Sequence, residues 1–183
     1  MFLDIFSVGI SLYNIQEIDN QKLIKFVQKT SNKDGYKNDK DILSNPLFED
    51  LNNAAQKKME EFYRKTFQSN LKIELSQAWS NIADDKYITI PHTHNDAIVS
   101  AVYYPYCEEG EIIFLNPAGT SLLSQQKDWM IGEWNKYTNE CFTVKVKTGH
   151  LIVFNSMLQH MVRCKDPERV SIAYNGNPKA VNV

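Results

Sequence analysis

The sequence predicts a mainly β protein, a jelly roll braced by two helices, and three observations support this prediction. The N-terminal third holds two stretches in which apolar residues recur at helical spacing. From Leu71 onward the apolar period changes to two, and β-branched and aromatic residues cluster in short runs. Gly, Pro, Asn and Asp separate those runs, so many short strands joined by turns are expected.

Two helices are predicted before residue 70. The first begins at Asp19 or Asn20, either of which can cap it, and ends near Ser31. The second begins at Pro46, which is tolerated in a first helical turn, and runs to about Thr66. Its apolar stripe is expected to pack on the sheet. The polar stretch between the two helices is predicted to be a loop.

Eight short strands are predicted in the remainder of the chain. Their position behind two helices favours a two-sheet jelly roll in which the helices brace one sheet. The long segment 116–141 shows no strand pattern, and we expect it to cross the mouth of the barrel, because loops of that length are often functional. The predicted strands are Leu71–Trp79, Tyr87–His92, Ile98–Tyr104, Glu111–Leu115, Phe142–Val146, Leu151–Phe154, Met161–Arg163 and Val170–Tyr174.

One domain over residues 1–183 is predicted, with 1–70 as the helical bracing segment and 71–183 as the β core. The length, with 43% hydrophobic and 23% charged residues, suits a single sizeable core. A net charge of −2 and the lack of a long basic run argue against nucleic acid as the main partner. No stretch approaches the roughly 20 apolar residues needed to span a bilayer, so no membrane segment is expected.

The three cysteines predict neither a disulfide framework nor a thiolate zinc site. Cys107, Cys141 and Cys164 are widely spaced and form no C-x-x-C pair. The apolar N-terminus is interrupted by Asp4, and no Lys or Arg precedes it as a signal peptide requires. Free thiols in a reducing compartment and the lack of a signal favour a cytoplasmic protein.

Two of the four histidines lie in the segment 90–96, directly after a predicted strand. In an extended chain alternate side chains share a face, so His92, His94 and Asp96 can point into one pocket. Imidazole and carboxylate together suit a first-row transition metal. An H-x-H pair alone is a weak signal, and a surface or capping role competes with metal binding.

A third histidine, His160, strengthens the interpretation of His92 and His94 as metal ligands. Gly149 can turn the chain into a buried strand, and the apolar run that follows delivers His160 to the start of the next strand. The imidazole is therefore expected near the rim of the barrel. Non-haem iron enzymes use a facial triad, with positions left open for cosubstrate and oxygen, and two ligands from a short motif plus a distant histidine fit that arrangement.

Arg169 and Ser171 share one face of the last predicted strand. If that face looks inward, the guanidinium must find an anion, and a carboxylate bound through two hydrogen bonds is its natural partner. The Ser171 hydroxyl would add a hydrogen bond to the same group. The competing interpretation is a surface arginine paired with Glu108 or Asp166.

Taken together, these segments resemble the 2-oxoglutarate/Fe(II)-dependent oxygenases, in particular a group common in marine phage and bacterial sequences. That group shows W-x-N, H-x-H, S-G-x-Y-Y, G-x-L-x-x-F-x-S-x-x-x-H-x-V and R-x-S-x-x-x-N in this order. The match spans roughly residues 79–175, and one departure is Ala101 where the group usually has Gly. The pattern is carried here by Trp79, Asn81, His92, His94, Ser100–Tyr104, Gly149–Val162, Arg169, Ser171 and Asn175.

The resemblance implies a double-stranded β-helix of the cupin-like kind and an oxygenase that consumes 2-oxoglutarate and dioxygen. Such an enzyme would hydroxylate a small-molecule or peptide substrate and release succinate and CO2. Arg169 and Ser171 would hold the far carboxylate of 2-oxoglutarate, and Asn81 would add a hydrogen bond. Aromatic candidates for the pocket wall, which on such strands more often belong to the core, are Tyr103, Tyr104, Trp129 and Trp134.

The ligand set for Fe(II) stays open at this point. His92, His94 and His160 follow the H-x-H pattern of the resembled group and are favoured. The alternative set of His94, Asp96 and His160 has a carboxylate that would offset part of the metal charge. In the favoured set Asp96 would instead orient a ring nitrogen from outside. A third arrangement uses His92 and His160 alone.

Two other functions compete with the oxygenase. A cupin-like metal enzyme that does not use 2-oxoglutarate typically carries a Glu a few residues after H-x-H, but Ile98 and Val99 occupy those positions here. A non-catalytic jelly-roll binding protein would need no metal. The sequence leaves the substrate open, and it leaves the oligomeric state open as well, a homodimer included.

Overall fold

Two antiparallel β-sheets packed face to face form the body of the protein in the computed structural model. The structure describes residues 7–30, 36–37, 42–118, 133, 135 and 137–179. Two helices lie against the outer face of the larger sheet. This architecture confirms the predicted jelly roll with bracing helices. Within the described residues, no helix has the length and apolarity to span a bilayer.

Over the described ranges, the larger sheet has six strands and the smaller has three. In the larger sheet the strand order is β1-β7-β4-β9-β3-β2, and in the smaller it is β6-β5-β8. The helices are α1 (Asn20–Thr30) and α2 (Glu49–Phe67), the latter preceded by a 3-10 turn (Pro46–Phe48). The strands are β1 (Ile10–Asn14), β2 (Tyr36–Lys37), β3 (Ile73–Ala83), β4 (Val99–Tyr106), β5 (Gly110–Leu115), β6 (Cys141–Val146), β7 (His150–Asn155), β8 (His160–Cys164) and β9 (Arg169–Pro178).

Both predicted helices are confirmed, and local signals explain their ends. The Asn45 side chain accepts a hydrogen bond from the Leu47 amide at 3.0 Å, and Pro46 occupies the first position of the turn that leads into α2. Helix α2 stops at Gln68, which adopts a left-handed backbone with φ 53°. The apolar stripe of α2 is buried against the larger sheet, as its spacing predicts.

Alternation along β4 divides the interior into two layers. Val99, Ala101 and Tyr103 face the helices and join the core beneath them, whereas Tyr104 faces the smaller sheet. Strand β7 follows the same rule and sends Phe154 into the space between the sheets. Residues that face the smaller sheet are therefore the ones available to a pocket between the sheets.

The strand predictions fail in three places. Strand β1 was not predicted, yet it pairs with β7 along its length. Tyr36–Lys37 was expected in a loop but pairs with β3. The segment Tyr87–His92 was expected to be a strand, but it makes only isolated bridges, Ile88 to Arg163 and His92 to His160. The register shifts by one residue between these bridges, and a continuous ladder is thereby prevented.

Gly149 does turn the chain into β7, as predicted, with a positive φ of 83°. Its amide donates to the Tyr104 carbonyl at 2.9 Å, which ties the turn to β4. Most of segment 116–141, with Trp129 and Trp134, lies outside the described residues, so its predicted path over the barrel mouth stays a prediction.

Candidate active site

The three histidines converge at one end of the space between the sheets. His160 is the first residue of β8, and its backbone exchanges hydrogen bonds with that of His92 at 2.9 and 3.0 Å. The ring centroids lie 4.4 Å apart for His92 and His160, 5.3 Å for His92 and His94, and 5.1 Å for His94 and His160. One ligand atom from each residue lies within 4.8 Å of the others. The predicted convergence is confirmed.

Backbone carbonyls fix two of the rings. His92 Nδ1 lies 2.9 Å from the Ile90 oxygen, and His160 Nδ1 lies 2.9 Å from the Leu158 oxygen. A carbonyl oxygen only accepts hydrogen bonds, so each Nδ1 carries the proton and each Nε2 keeps a free lone pair. This is the protonation that a histidine needs to bind a metal through Nε2.

Side chains fix the third ring. His94 Nδ1 lies 2.8 Å from Asn175 Oδ1 on β9 and 2.9 Å from Ser100 Oγ on β4. The sequence pattern contains Asn175 and Ser100, but it gave neither a role. With Nδ1 engaged in all three rings, the cluster offers three Nε2 lone pairs, and a transition metal fits this donor set.

Burial keeps the His94 and His160 imidazoles neutral. It lowers the pKa of His160 to about 4, and the neighbouring His92 and His94 rings add to that effect. Burial also lowers the pKa of His94. Both rings are therefore unprotonated on the metal-binding nitrogen at neutral pH, as ligation requires.

Asp96 does not join the histidines. Its side chain is exposed, and the group of potential ligands consists of His92, His94 and His160 without it. The reason is local, since the chain turns at Asn95 and Asp96 and alternate side chains no longer share a face. The orienting role once assigned to Asp96 is instead filled at His94 by amide and hydroxyl groups.

Arg169 is buried, and no described carboxylate serves as its counter-ion. Arg169 is the first residue of β9, and its side chain is 1% exposed. Its Nε and Nη1 atoms have no hydrogen-bond partner among the described residues. Its Cζ lies 5.8 Å from the Tyr87 ring centroid and 6.0 Å from that of Tyr104. A buried guanidinium with free donors requires an anion.

The competing interpretation of Arg169 as a surface partner of Glu108 or Asp166 is wrong. The Asp166 carboxylate is buried, and it accepts hydrogen bonds from the amides of Glu108 at 2.9 Å and Glu109 at 2.5 Å. Those bonds hold the turn between β4 and β5. The carboxylate of Asp166 therefore serves the backbone, and it forms no ion pair with Arg169.

Two further buried polar atoms lack a hydrogen-bond partner in the described part of the chain. They are the Tyr104 hydroxyl and Asn81 Oδ1, and Asn81 lies opposite Ser171 in the register of β3 and β9. Each buried polar group left without a hydrogen bond costs about 1–3 kcal/mol, so several beside one another indicate a ligand. The Asn81 amide nitrogen donates to the Tyr87 hydroxyl at 2.9 Å.

Of the two tyrosines named as candidates for the pocket wall, the structure places only Tyr104 there. Tyr103 faces the helices, where its hydroxyl donates to Asn20 Oδ1 at 2.8 Å. Burial raises the pKa of Tyr104, so its phenol keeps the proton and can donate to a ligand. The adjacent tyrosines differ because consecutive strand residues point to opposite faces.

The guanidinium and the histidines lie on the same inner face. Alternate residues of β9 share a face, and this inner face includes Arg169, Ser171 and Asn175. Asn175 contacts His94. Aromatic rings surround the imidazoles, and the ring centroid of Trp79 lies 5.5 Å from that of His94. The pocket thus holds a cluster of neutral donors at one end and an unpaired cation farther along the strand.

Residues 77–175 match the family model described as "Putative 2OG-Fe(II) oxygenase". HygX from Streptomyces hygroscopicus with nickel and 2-oxoglutarate bound is a structural neighbour, with TM-score 0.63, 13% identity and coverage of 94% of this chain and 83% of that one. A Pseudomonas putida prolyl-4-hydroxylase has TM-score 0.56, 14% identity and 95% coverage of both chains.

A third neighbour is SnoN, a non-heme alpha ketoglutarate dependent epimerase from nogalamycin biosynthesis. It has TM-score 0.58 and 14% identity, and the match covers 92% of this chain and 78% of that one. No curated protein sequence matches this chain. Identities this low show a shared fold, which is the double-stranded β-helix.

Proposed function

This chain belongs to the 2OG-Fe(II) oxygenase family, and we propose that His92, His94 and His160 hold its Fe(II) while Arg169 anchors 2-oxoglutarate. The observation that carries the proposal is the buried guanidinium, whose Nε and Nη1 have no partner among the residues that the structure describes. A dicarboxylic cosubstrate supplies the missing anion. The nearby imidazole cluster supplies the metal ligands for its other end.

The imidazoles suit Fe(II) in number and protonation. Their three Nε2 lone pairs would hold the metal, and three protein ligands would leave room for the keto acid and for oxygen, as a facial triad does. Three neutral ligands would not offset the charge of Fe(II); the carboxylate at the keto acid end of 2-oxoglutarate would offset part of it, and the distal carboxylate would pair with Arg169. Together, Fe(II), 2-oxoglutarate and dioxygen supply oxidative decarboxylation to succinate and CO2, coupled to oxidation of a substrate C–H bond.

The protein positions these groups and shields them. The ring centroid of His160 lies 4.7 Å from that of Phe154 on the larger sheet and 6.0 Å from that of Phe114 on the smaller sheet, so apolar surface from both sheets borders the ligands. Exclusion of water there strengthens the electrostatic contacts inside the pocket. At the far end, Arg169 and the Tyr104 hydroxyl would hold the distal carboxylate by donating hydrogen bonds to it, and Ser171, opposite Asn81 in the strand register, would add another.

The proposed substrate is a small organic molecule or a peptide. One HygX structure holds hygromycin B together with nickel and 2-oxoglutarate, so this fold accepts a small molecule beside the metal in that protein. We also propose that the enzyme works in the cytoplasm, because Cys107, Cys141 and Cys164 are all free thiols. Dioxygen is the proposed second cosubstrate.

The direct test is succinate formation by protein supplied with Fe(II), 2-oxoglutarate and oxygen. Without its substrate, the enzyme is expected to release succinate slowly, and only when all three components are present. Titration of 2-oxoglutarate into the Ni(II)-loaded protein measures binding without turnover. Protein that binds the metal but neither binds nor consumes the keto acid would favour the cupin-like alternative.

Tyr104→Phe is expected to weaken 2-oxoglutarate binding by about tenfold or more. A hydrogen bond to a charged group contributes about 1.5–3 kcal/mol, and the phenol has no other partner among the described residues. Titration of 2-oxoglutarate into Ni(II)-loaded protein checks this value, and Ni(II) affinity should not change.

Tyr103→Phe is the matched control, because it removes a hydroxyl from the adjacent residue on the opposite face of β4. That hydroxyl bonds Asn20, so its loss should lower stability but leave 2-oxoglutarate affinity as it is in the wild type. Equal cosubstrate affinity in the wild type and Tyr104→Phe would remove Tyr104 from the site.

A further inference from the structure

Buried polar side chains lie directly behind His94, in a row that ends at an exposed glutamine. Gln77, Asn175 and Ser100 stand in one row across β3, β9 and β4, since Asn175 is the register partner of both other residues. Ser100 and Ser156 are fully buried, and Asn175 is 4% exposed. Polar groups in such positions are costly unless they are fully hydrogen-bonded, so the row needs an explanation beyond packing.

The hydrogen bonds of this row fix the direction of the Asn175 amide. Asn175 Nδ2 donates to Gln77 Oε1 at 3.0 Å, so Asn175 Oδ1 points away from Gln77. The Ser100 hydroxyl donates to that oxygen at 2.8 Å. Ser156 Oγ lies 2.8 Å from Ser100 Oγ and can donate to it, because the Ser100 proton is already used.

The proton of His94 follows from this arrangement. Asn175 Oδ1 lies 2.8 Å from His94 Nδ1 and can only accept, so Nδ1 must be the donor. His92 and His160 receive the same constraint from backbone carbonyls, which no side-chain substitution removes. Of the three clustered histidines, only His94 has its tautomer set by the side chain of another residue, Asn175.

We propose that Asn175 is a positioning residue that holds His94 in the Nδ1–H tautomer and presents its Nε2 to the metal. This inference rests on the proposed function, since it assigns a role to a residue outside the ligand set of that same site. Gln77 supports the role by fixing the amide, and Ser100 supports it by sharing the amide oxygen. Free imidazole in water prefers the Nε2–H tautomer, so Asn175 acts against that preference.

An amide suits this position because it is a neutral acceptor. A carboxylate in the same place would bring a charge into a buried sheet and would need further donors to offset its desolvation. The amide instead accepts from the partly buried His94 and donates to the exposed Gln77, which satisfies both of its ends without a charge. The imidazole is oriented without being given a counter-ion.

The test reads the tautomer in metal-free protein. Histidine labelled with 15N reports which ring nitrogen carries the proton, and with four histidines the spectrum can be assigned from single substitutions. We expect wild-type His94 to carry its proton on Nδ1. We expect Asn175→Leu to shift it toward Nε2–H, and Asn175→Asp to keep Nδ1–H because a carboxylate also accepts.

Asn52→Leu is the control for loss of a buried amide. Asn52 lies in α2, accepts from the Tyr174 hydroxyl at 3.0 Å and donates to the Ile42 carbonyl at 3.0 Å, on the opposite side of the sheet. The Asn52→Leu substitution should lower the free energy of unfolding and leave the His94 tautomer unchanged. Ni(II) affinity should fall about 10- to 100-fold in Asn175→Leu and should not change in Asn52→Leu.

Two results would overturn the inference. One is a wild-type His94 that carries its proton on Nε2, which needs no variant to detect. The other is an unchanged tautomer in folded Asn175→Leu, with wild-type Ni(II) affinity. If wild-type protein binds no Ni(II) at all, the proposed function fails and takes the inference with it, so the two failures are distinguishable.

Discussion

His160→Ala is expected to lower metal affinity by more than about 100-fold and to abolish succinate formation. Groups that only orient a metal ligand already contribute about 10- to 100-fold, and His160 is proposed as a ligand itself. The side chain is buried between the other two imidazoles and Phe154, so no exposed residue can take its place. Titration with Ni(II) measures the affinity directly.

His150→Ala provides the matched control. It removes the fourth histidine, which stands at the start of β7 and accepts a hydrogen bond from the Lys147 amide, away from the cluster. Ni(II) affinity should equal that of the wild type. Retained affinity in His160→Ala, or a comparable loss in His150→Ala, would contradict the proposed ligand set.

Arg169→Ala is expected to weaken 2-oxoglutarate binding by roughly 2 kcal/mol or more, which corresponds to about 30-fold in affinity. Ni(II) affinity should be unaffected, because the guanidinium lies along the strand from the imidazoles. Arg169→Lys should recover only part of the loss, since an ammonium keeps the charge but lacks the planar fork that binds a carboxylate. The measurement is a titration of 2-oxoglutarate into Ni(II)-loaded protein.

The free energy of unfolding distinguishes a cosubstrate-binding role of Arg169 from a structural role. Arg169 is buried with unpaired nitrogens, so the similarly sized Arg169→Met should leave the free energy of unfolding of the metal-free protein unchanged or raise it. Arg163→Met, at an exposed position on β8, is the control for loss of an arginine and should bind 2-oxoglutarate normally. Normal cosubstrate affinity in the Arg169 variants would show that the anchor lies elsewhere.

The sequence was sufficient for the parts of the fold that depend on local pattern. Helical spacing and Pro46 located both helices, and alternation located most strands. The prediction misses strand β1, because it treats the apolar stretch at the N-terminus only as a possible signal peptide. The segment Tyr87–His92 has strand composition, but its shifted register against β8 appears only in three dimensions.

The site was predictable where motif order implied convergence. His92, His94, His160 and Arg169 could be named because their motifs occur in a recognisable order. Asp96 was misjudged because the turn that follows His94 ends the alternation on which its assignment depended.

Two other site residues depended on tertiary register. Tyr104 could not be separated from Tyr103 without knowing which face of β4 each occupies. The contact of Asn175 with His94 joins residues 81 positions apart and depends on the pairing of three strands. Spacing along the chain carries no information on such a contact.

A crystal structure of the protein with Ni(II) and 2-oxoglutarate tests the central claim most directly. The account predicts one metal ion bonded to Nε2 of His92, His94 and His160 at about 2.1 Å, the usual metal–imidazole distance. The keto acid should chelate that metal, and its far carboxylate should receive hydrogen bonds from Arg169. A metal held through Asp96, or a cosubstrate whose far carboxylate lies away from Arg169, would contradict it.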